Sequence, residues 1–282
     1  MHNPLSWPLP VPALTRRATT RSRRALAAAV LLAYLIAFGL PMFSAARVLI
    51  EPSGTVERTS EQWWWFVAFN LLAITVSAAL YLLFRMLGAP LTVRSMGRNT
   101  LLTGAFAAGI WVISQLIAAP ISVLLDAITT SPSYPSSSTT ADLSLQALGW
   151  ATWALAAGIG EEIVANAAVV RILELYGTPT AAIYLAAIVA RLAFHIYYGW
   201  AVLEKAVWAA GAAWAYRNSR ILWPLITIHI IHDLLIQIPQ LWNLPLLTWA
   251  NIPLNALLIA VVIVVYRKSS GSRQAPTRHP GQ

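Results

Sequence analysis

The sequence predicts an all-α membrane protein, a polytopic bundle of about eight transmembrane helices with both termini on the cytoplasmic side. Composition is the first observation: of 282 residues 58% are hydrophobic and 10% charged, with a mean hydropathy of +0.65. A water-soluble domain carries more polar surface than that. The second is a series of apolar stretches near the length of about 20 residues that a helix needs to cross the hydrocarbon region. The third is the asymmetry of Lys and Arg between alternate loops, which sets orientation. One side collects Arg16, Arg17, Arg21, Arg23 and Arg24, then Arg85, Arg94 and Arg98, then Arg171, Arg217 and Arg220, and finally Arg267, Lys268, Arg273 and Arg278. The other side has only Arg47, Arg58 and Lys205.

In chain order, the expected spans run over 25–46, 63–84, 101–125, 144–172, 180–199, 203–216, 221–238 and 248–266. The first follows the arginine cluster and is longer than the apolar region of a cleaved signal peptide, so it reads as a retained anchor. The "WWWF" of residues 63–66 fits an aromatic belt at the outer interface. Pro41 and Pro120 read as kinks within spans. The Ser/Thr/Pro-rich stretch "TTSPSYPSSSTTAD" has no basic residue and reads as an outer loop. The segment 144–172 is too long for a plain span, and Gly158 and Gly160 are placed for a kink or a break into two helices; splitting it would put the basic tail outside, so it is kept as one span. The segment 203–216 is short and opens on Glu204 and Lys205. Divided by role, residues 1–24 form a basic cytoplasmic tail and 25–142 the N-terminal helices with the outer loop. Residues 143–240 form the core that carries the ionisable groups, and 241–282 the last helix with a basic tail.

The formal charge of +9 fits cytoplasmic loops beside anionic lipid, and no nucleic-acid-binding pattern accompanies it. Without cysteine there is no disulfide, thiolate metal site or cysteine nucleophile. Chemistry falls to carboxylates, imidazoles and hydroxyls. An ionisable group at the centre of a membrane helix costs about 3 kcal/mol on insertion scales and usually faces a cavity or a partner. Such groups occur as Glu161 and Glu162, as Arg191 and His195 in "RLAFHIYYG", and as His229, His232 and Asp233 in "ITIHIIHDLL".

Depth ties them together. Glu161 lies ten residues beyond Arg171, about 15 Å at the helical rise, and His229 lies nine beyond Arg220, roughly 13 Å. A hairpin turning at "YGTP" brings His195 to the depth of Glu161. Spacing by four places His229 with Asp233, Arg191 with His195, and Glu162 with Asn166 on shared faces. Glu161 and Glu162 diverge by about 100° on an ordinary helix, so they are not expected to aim at one centre. His232 reads as a packing residue, and Arg171 and Glu174 as solvated helix ends. The scattered tryptophans suit lipid interfaces.

In this order and spacing, "EEIVAN", "RLAFH" and "HIIHD" resemble the three motifs of the CAAX-processing and bacteriocin-processing (CPBP, or Abi) intramembrane endopeptidases, EExxxR, FxxxH and HxxxN or HxxxD. "RLAFHIYYG" is similar to the RxxYHxYxG variant of the second motif, and "LWPLITIHIIHD" to the WP-containing third. Two positions depart: Asn166 stands where the first motif has Arg, and Arg191 where the second has Phe. Arg191 is expected to supply from the next helix the positive charge that Asn166 lacks.

The resemblance implies that Glu161 and His195 activate a water against a peptide carbonyl, while His229 and Asp233 stabilise the oxyanion. Glu162, Asn166 and Arg191 then support the site. An ionised Asp233 accepts hydrogen bonds and donates none, so it would have to be protonated or serve to orient His229. No cofactor is required by this mechanism. Zinc held by Glu161, His195 and His229 is the competing chemistry, although no HExxH is present. Expected partners are membrane lipid and a peptide or protein substrate, and the expected location is the cell membrane. Two other functions use the same residues: a proton-coupled transporter, which would call for paired halves that the sequence does not show, and a non-catalytic immunity or scaffold protein.

Overall fold

The computed structural model describes residues 18–50, 59–92, 98–128 and 141–241, with scattered positions between 256 and 267. The expected span at 248–266 therefore lies largely outside the described residues. In order, the elements are α1 (Thr20–Ile50), α2 (Ser60–Met86), α3 (Arg98–Ile128), α4 (Leu143–Gly160), a π-helical segment (Glu161–Ala168) and α5 (Val169–Leu175). Then come α6 (Thr180–Ala193), a 3-10 segment (Ile196–Glu204), α7 (Lys205–Ser219) and α8 (Trp223–Leu241). Among the described residues there is no strand.

Among the described residues four helices are long and apolar enough to cross a membrane: Thr20–Ser44, Ser60–Met86, Thr100–Ala118 and Leu143–Leu175. The last stands at the centre, with 78% of its most apolar window buried against 28% in α1 and α2. The outer helices turn leucines outward: Leu31, Leu35, Leu71, Leu82, Leu101 and Leu116 are all at least half exposed. In water such a surface would associate; in a bilayer it meets acyl chains.

Local chemistry explains where the helices begin and end. Thr59 caps α2 through a reciprocal box: the Gln62 N–H donates to Thr59 Oγ1 and the Thr59 N–H to Gln62 Oε1. Asp142 caps α4 by accepting from the Leu145 N–H at 2.7 Å. Pro41 lies inside α1 and Pro120 inside α3. The "YGTP" turn closes α5 with Gly177 at φ +73°, its N–H on the Glu174 carbonyl and that of Thr178 on the Leu173 carbonyl.

The long segment expected as one span stays helical through Gly158 and Gly160, over Leu143–Leu175, with the eight π-helical residues inside it. Other expectations change. The expected span 180–199 ends as an α-helix at Ala193, and its fourteen residues reach about 21 Å, short of a hydrocarbon thickness of about 30 Å. The segment 203–216 is replaced by the end of the 3-10 segment and by α7. Within "WWWF", Trp64 and Trp65 are exposed, but Trp63 packs inward against Phe66 and Trp150. Gly149 makes room for it: a Cβ there would meet the Trp63 ring at 2.5 Å.

α1 is built into the bundle rather than attached to it. Its Tyr34 hydroxyl donates to the Ala190 carbonyl at 2.5 Å, and Phe38 stacks on Phe194 with centroids 4.2 Å apart. Both contacts fall beside the end of α6, where His195 emerges.

Candidate active site

Four elements deliver the ionisable side chains to one layer. The π-helical segment supplies Glu161, Glu162 and Asn166, the end of α6 supplies Arg191, the junction after it His195, and α8 supplies His229 and Asp233. α8 comes close to α4 because Gly158 has no side chain. A Cβ at that position would meet Ile230 and would lie 3.1 Å from the Ile226 carbonyl oxygen and 3.2 Å from the Ile230 nitrogen. His229 lies between those two residues, so this close approach sets its reach toward the glutamates.

Glu162 is wholly buried and saturated with donors. Its Oε1 lies 2.7 Å from Arg191 Nη2 and accepts from His229 Nδ1 at 3.0 Å, while Oε2 accepts from Asn166 Nδ2 at 2.9 Å. Arg191, itself 2% exposed, also approaches Glu161 Oε2 at 3.5 Å. The guanidinium thus faces both glutamates, and Asn166 stands at the amide contact rather than as a second cation.

Glu161 faces the other way, into a cavity of about 110 Å³. His195 Nε2 lies 3.9 Å from its Oε1 and His229 Nε2 lies 3.9 Å from its Oε2. Asp233 Oδ2 is 3.7 Å from His229 Nε2 and has no hydrogen-bond partner among the described residues. Each ring is oriented through its other nitrogen. His195 Nδ1 donates to the Arg191 carbonyl at 2.9 Å, and His229 Nδ1 donates to Glu162. In the neutral rings both Nε2 atoms therefore carry lone pairs toward Glu161.

The expected divergence of the two glutamates is modified by this geometry. The wider π-helical turn and the two-sided Arg191 and His229 let both converge on one pair of partners, although only Glu161 lines the cavity. π-helical turns of this kind recur at functional sites.

The tryptophans also differ from the sequence reading. Trp111, Trp153 and Trp208 line the cavity rather than a lipid interface. Trp111 lies over His232 at 4.6 Å and Trp208 is edge-on to His229 at 5.9 Å. The indole N–H groups of Trp111 and Trp208 are buried without an acceptor among the described residues. Lys205, expected in an outer loop, lines the same cavity and pairs with Glu204 at 3.0 Å. No signal in the sequence separates these tryptophans from lipid-facing ones, because their neighbours are apolar in either case.

Among the described residues no three His, Asp or Glu side chains are grouped to hold a metal ion, and the Arg191 guanidinium already presses on Glu161.

Comparison with known proteins bears on the same region. No curated protein and no solved structure matches the chain. Residues 143–235, about a third of the chain, match the family model described as Type II CAAX prenyl endopeptidase Rce1-like, and through this core the chain resembles the CPBP intramembrane endopeptidases.

Proposed function

We propose that the protein is an intramembrane endopeptidase that hydrolyses a peptide bond of a membrane-associated substrate with a water held between Glu161 and His195. The observation that carries this reading is the gap of 3.9 Å between Glu161 Oε1 and His195 Nε2. It is too long for a direct hydrogen bond. Two acceptors at that separation suit one water that donates a hydrogen to each and turns its lone pair outward.

The steps follow from the chain's own groups. Glu161 takes a proton as the water oxygen attacks the carbonyl carbon, giving a tetrahedral oxyanion. The oxyanion then collapses, the C–N bond breaks, and the proton passes to the leaving amine. His195 is held to the accepting tautomer by its bond to the Arg191 carbonyl. Glu162 and Arg191 form the charged floor beneath, fixing both His229 and Glu161.

Oxyanion donors come from the opposite wall. His229 Nε2 donates only when its ring carries both protons, since Nδ1 is already committed to Glu162. The indole N–H groups of Trp111 and Trp208 donate at any pH, are buried without an acceptor among the described residues, and belong to two residues that line the same cavity. Preorganised donors in such a dry site act more strongly than in water. The active layer sits inside a multi-pass bundle of the cell membrane with both termini cytoplasmic, and the cation at Arg191 favours the metal-free route over zinc.

Membranes carrying the parent or Glu161→Gln protein, incubated in ¹⁸O-water, test the reading by mass spectrometry of peptide termini. New carboxyl termini labelled with ¹⁸O are expected with the parent and reduced at least ~10³-fold in the variant, on the scale of a lost activating base. Identical termini from both proteins would overturn the reading. Solute flux in sealed vesicles carrying the parent would point to a transporter instead.

A further inference from the structure

A second charged cluster lies at the basic end of the bundle, one helix segment away from the cavity. Arg171 and Glu174, expected as solvated ends, are instead packed inside: Arg171 is 7% exposed. Glu174 Oε1 accepts from Arg217 Nε at 3.0 Å and from Arg220 Nη2 at 2.7 Å. Its Oε2 lies 3.8 Å from Arg171 Nη1. Three guanidiniums therefore share one carboxylate, a local charge of +2. Arg171 Nε and Arg220 Nη1 are buried and have no acceptor among the described residues.

Among the described residues no further carboxylate side chain joins this cluster. The sequence contains ten Asp and Glu residues in all. Among the described residues, Glu61 and Asp142 lie at the opposite helix ends, in the first turn of α2 and at the cap of α4, and Asp126 stands in the last turns of α3. Glu161, Glu162 and Asp233 belong to the active layer, and Glu204 is paired with Lys205. Among the described residues Glu174 is thus the one carboxylate side chain at an end that also carries Arg21, Arg23, Arg24 and Arg85. Buried cations without a full complement of anions are costly, and guanidiniums present planar donor forks that match phosphate.

We propose that Arg171, Arg217 and Arg220 form a binding site for a phosphate-bearing anion, seated beside Glu174 where α5, α7 and the start of α8 meet. The backbone is set for it: Arg220 takes φ +59°, a left-handed conformation rare for a side chain other than Gly or Asn, with its N–H on the Tyr216 carbonyl. Arg217 lies over the Tyr184 ring and Arg220 over that of Tyr216, which fixes both side chains. A phosphodiester of an anionic lipid headgroup and free inorganic phosphate share the required chemistry. The position at a membrane end favours the lipid. This site does not depend on the peptidase reading.

Native mass spectrometry of the purified full chain in detergent, with a parallel thermal-shift titration, tests the proposal. The probes are dioleoyl phosphatidylglycerol, dioleoyl phosphatidylcholine and inorganic phosphate. Phosphatidylglycerol is expected to form adducts and raise the melting temperature, with affinity at least tenfold above phosphatidylcholine. The double variant Arg217→Gln/Arg220→Gln should lose at least tenfold of that affinity. Glu174→Gln should keep it or tighten it, an outcome that a merely structural ion cluster would not give. Arg21→Gln/Arg24→Gln removes the same charge from exposed positions at the same end and should change affinity less than threefold.

Millimolar inorganic phosphate that displaces the lipid and is lost in the same double variant would assign the site to a soluble phosphate source. Equal affinity for the two lipids without phosphate binding would overturn the site. So would equal losses in the two double variants, or loss in Glu174→Gln with its melting temperature preserved. If Arg217→Gln/Arg220→Gln does not fold, Arg217→Gln alone, at a side chain 25% exposed, carries the same comparison.

Discussion

Arg191 Nη2 meets Glu162 Oε1 at 2.7 Å across two elements, with the side chains 2% and 0% exposed. That pair places on α6 the positive charge which the CPBP-type first motif would carry one turn after the glutamates. Removing Arg191 leaves a buried carboxylate with only an amide and an imidazole. Arg191→Phe is expected to destabilise the protein by about 3–5 kcal/mol, as when one member of a buried pair is deleted. Adding Asn166→Arg to it should restore a large part, because Asn166 Nδ2 already sits 2.9 Å from Glu162 Oε2. Thermal unfolding in detergent checks both; Arg191→Phe with parental stability and activity would end the exchange idea.

Gly158 predicts a loss transmitted through the backbone. Gly158→Ala puts a methyl group against Ile230 and the α8 main chain, which must move away from α4. Overpacking of this kind costs about 1–3 kcal/mol. Because His229 rides on the displaced turn, turnover should fall by more than the stability change explains. Gly160→Ala is the matched control: its nearest neighbour would be Ser77 Oγ at 3.6 Å, an ordinary contact, and it should leave both properties near the parent values.

Donors to the oxyanion can be separated from packing. Trp208→Phe keeps a ring edge-on to His229 and removes one N–H, and Trp111→Phe does the same above His232. The variant lacking a true oxyanion donor should lose about 10²-fold or more in kcat with little change in KM. Its melting temperature should hold, since the deleted N–H has no acceptor to lose. Asp233→Asn supplies an amide donor and should retain activity; Asp233→Ala should lose it if this side chain also orients His229.

At the far end of the same long helix, Asp142 predicts a pH dependence. Its carboxyl is held below the ordinary aspartate value by the Ser144 hydroxyl and the Leu145 N–H that donate to it. A depressed folded-state value means that its stabilisation is present above the unfolded value, about pH 3.9, and is lost as pH falls through the folded one. Asp142→Ala should therefore melt below the parent at neutral pH. The gap should close on acidification below about pH 4, and a gap independent of pH would contradict the capping role.

Much of the candidate site was legible because charged residues in an apolar chain are conspicuous. Four-residue spacing and equal depth were enough to put Glu161, His195 and His229 in one layer, but not to bring them side by side. The tryptophans were not legible for the same physical reason. Lipid and protein interior are both apolar, so no contrast along α3 or α7 tells which face of Trp111 or Trp208 turns inward. Arg171 and Glu174 were misread as solvated because their partners, Arg217 and Arg220, lie more than forty residues away. The shortness of α6 was hidden by the apolar residues that continue through the 3-10 segment.

The π-helical segment has a consequence for how the whole central helix is phased. An inserted residue in a helical turn rotates everything beyond it by about 100° relative to an uninterrupted α-helix. Glu161 and Glu162 lie at the start of that slip, and Arg171 and Glu174 lie after it. The slip thus acts as a gear between two faces: one presents Glu161 to the cavity with Glu162 on Arg191 beneath it, the other turns an arginine and a glutamate toward α7. A one-residue deletion within 163–168 would restore α-helical winding, and one of these two faces would have to give way.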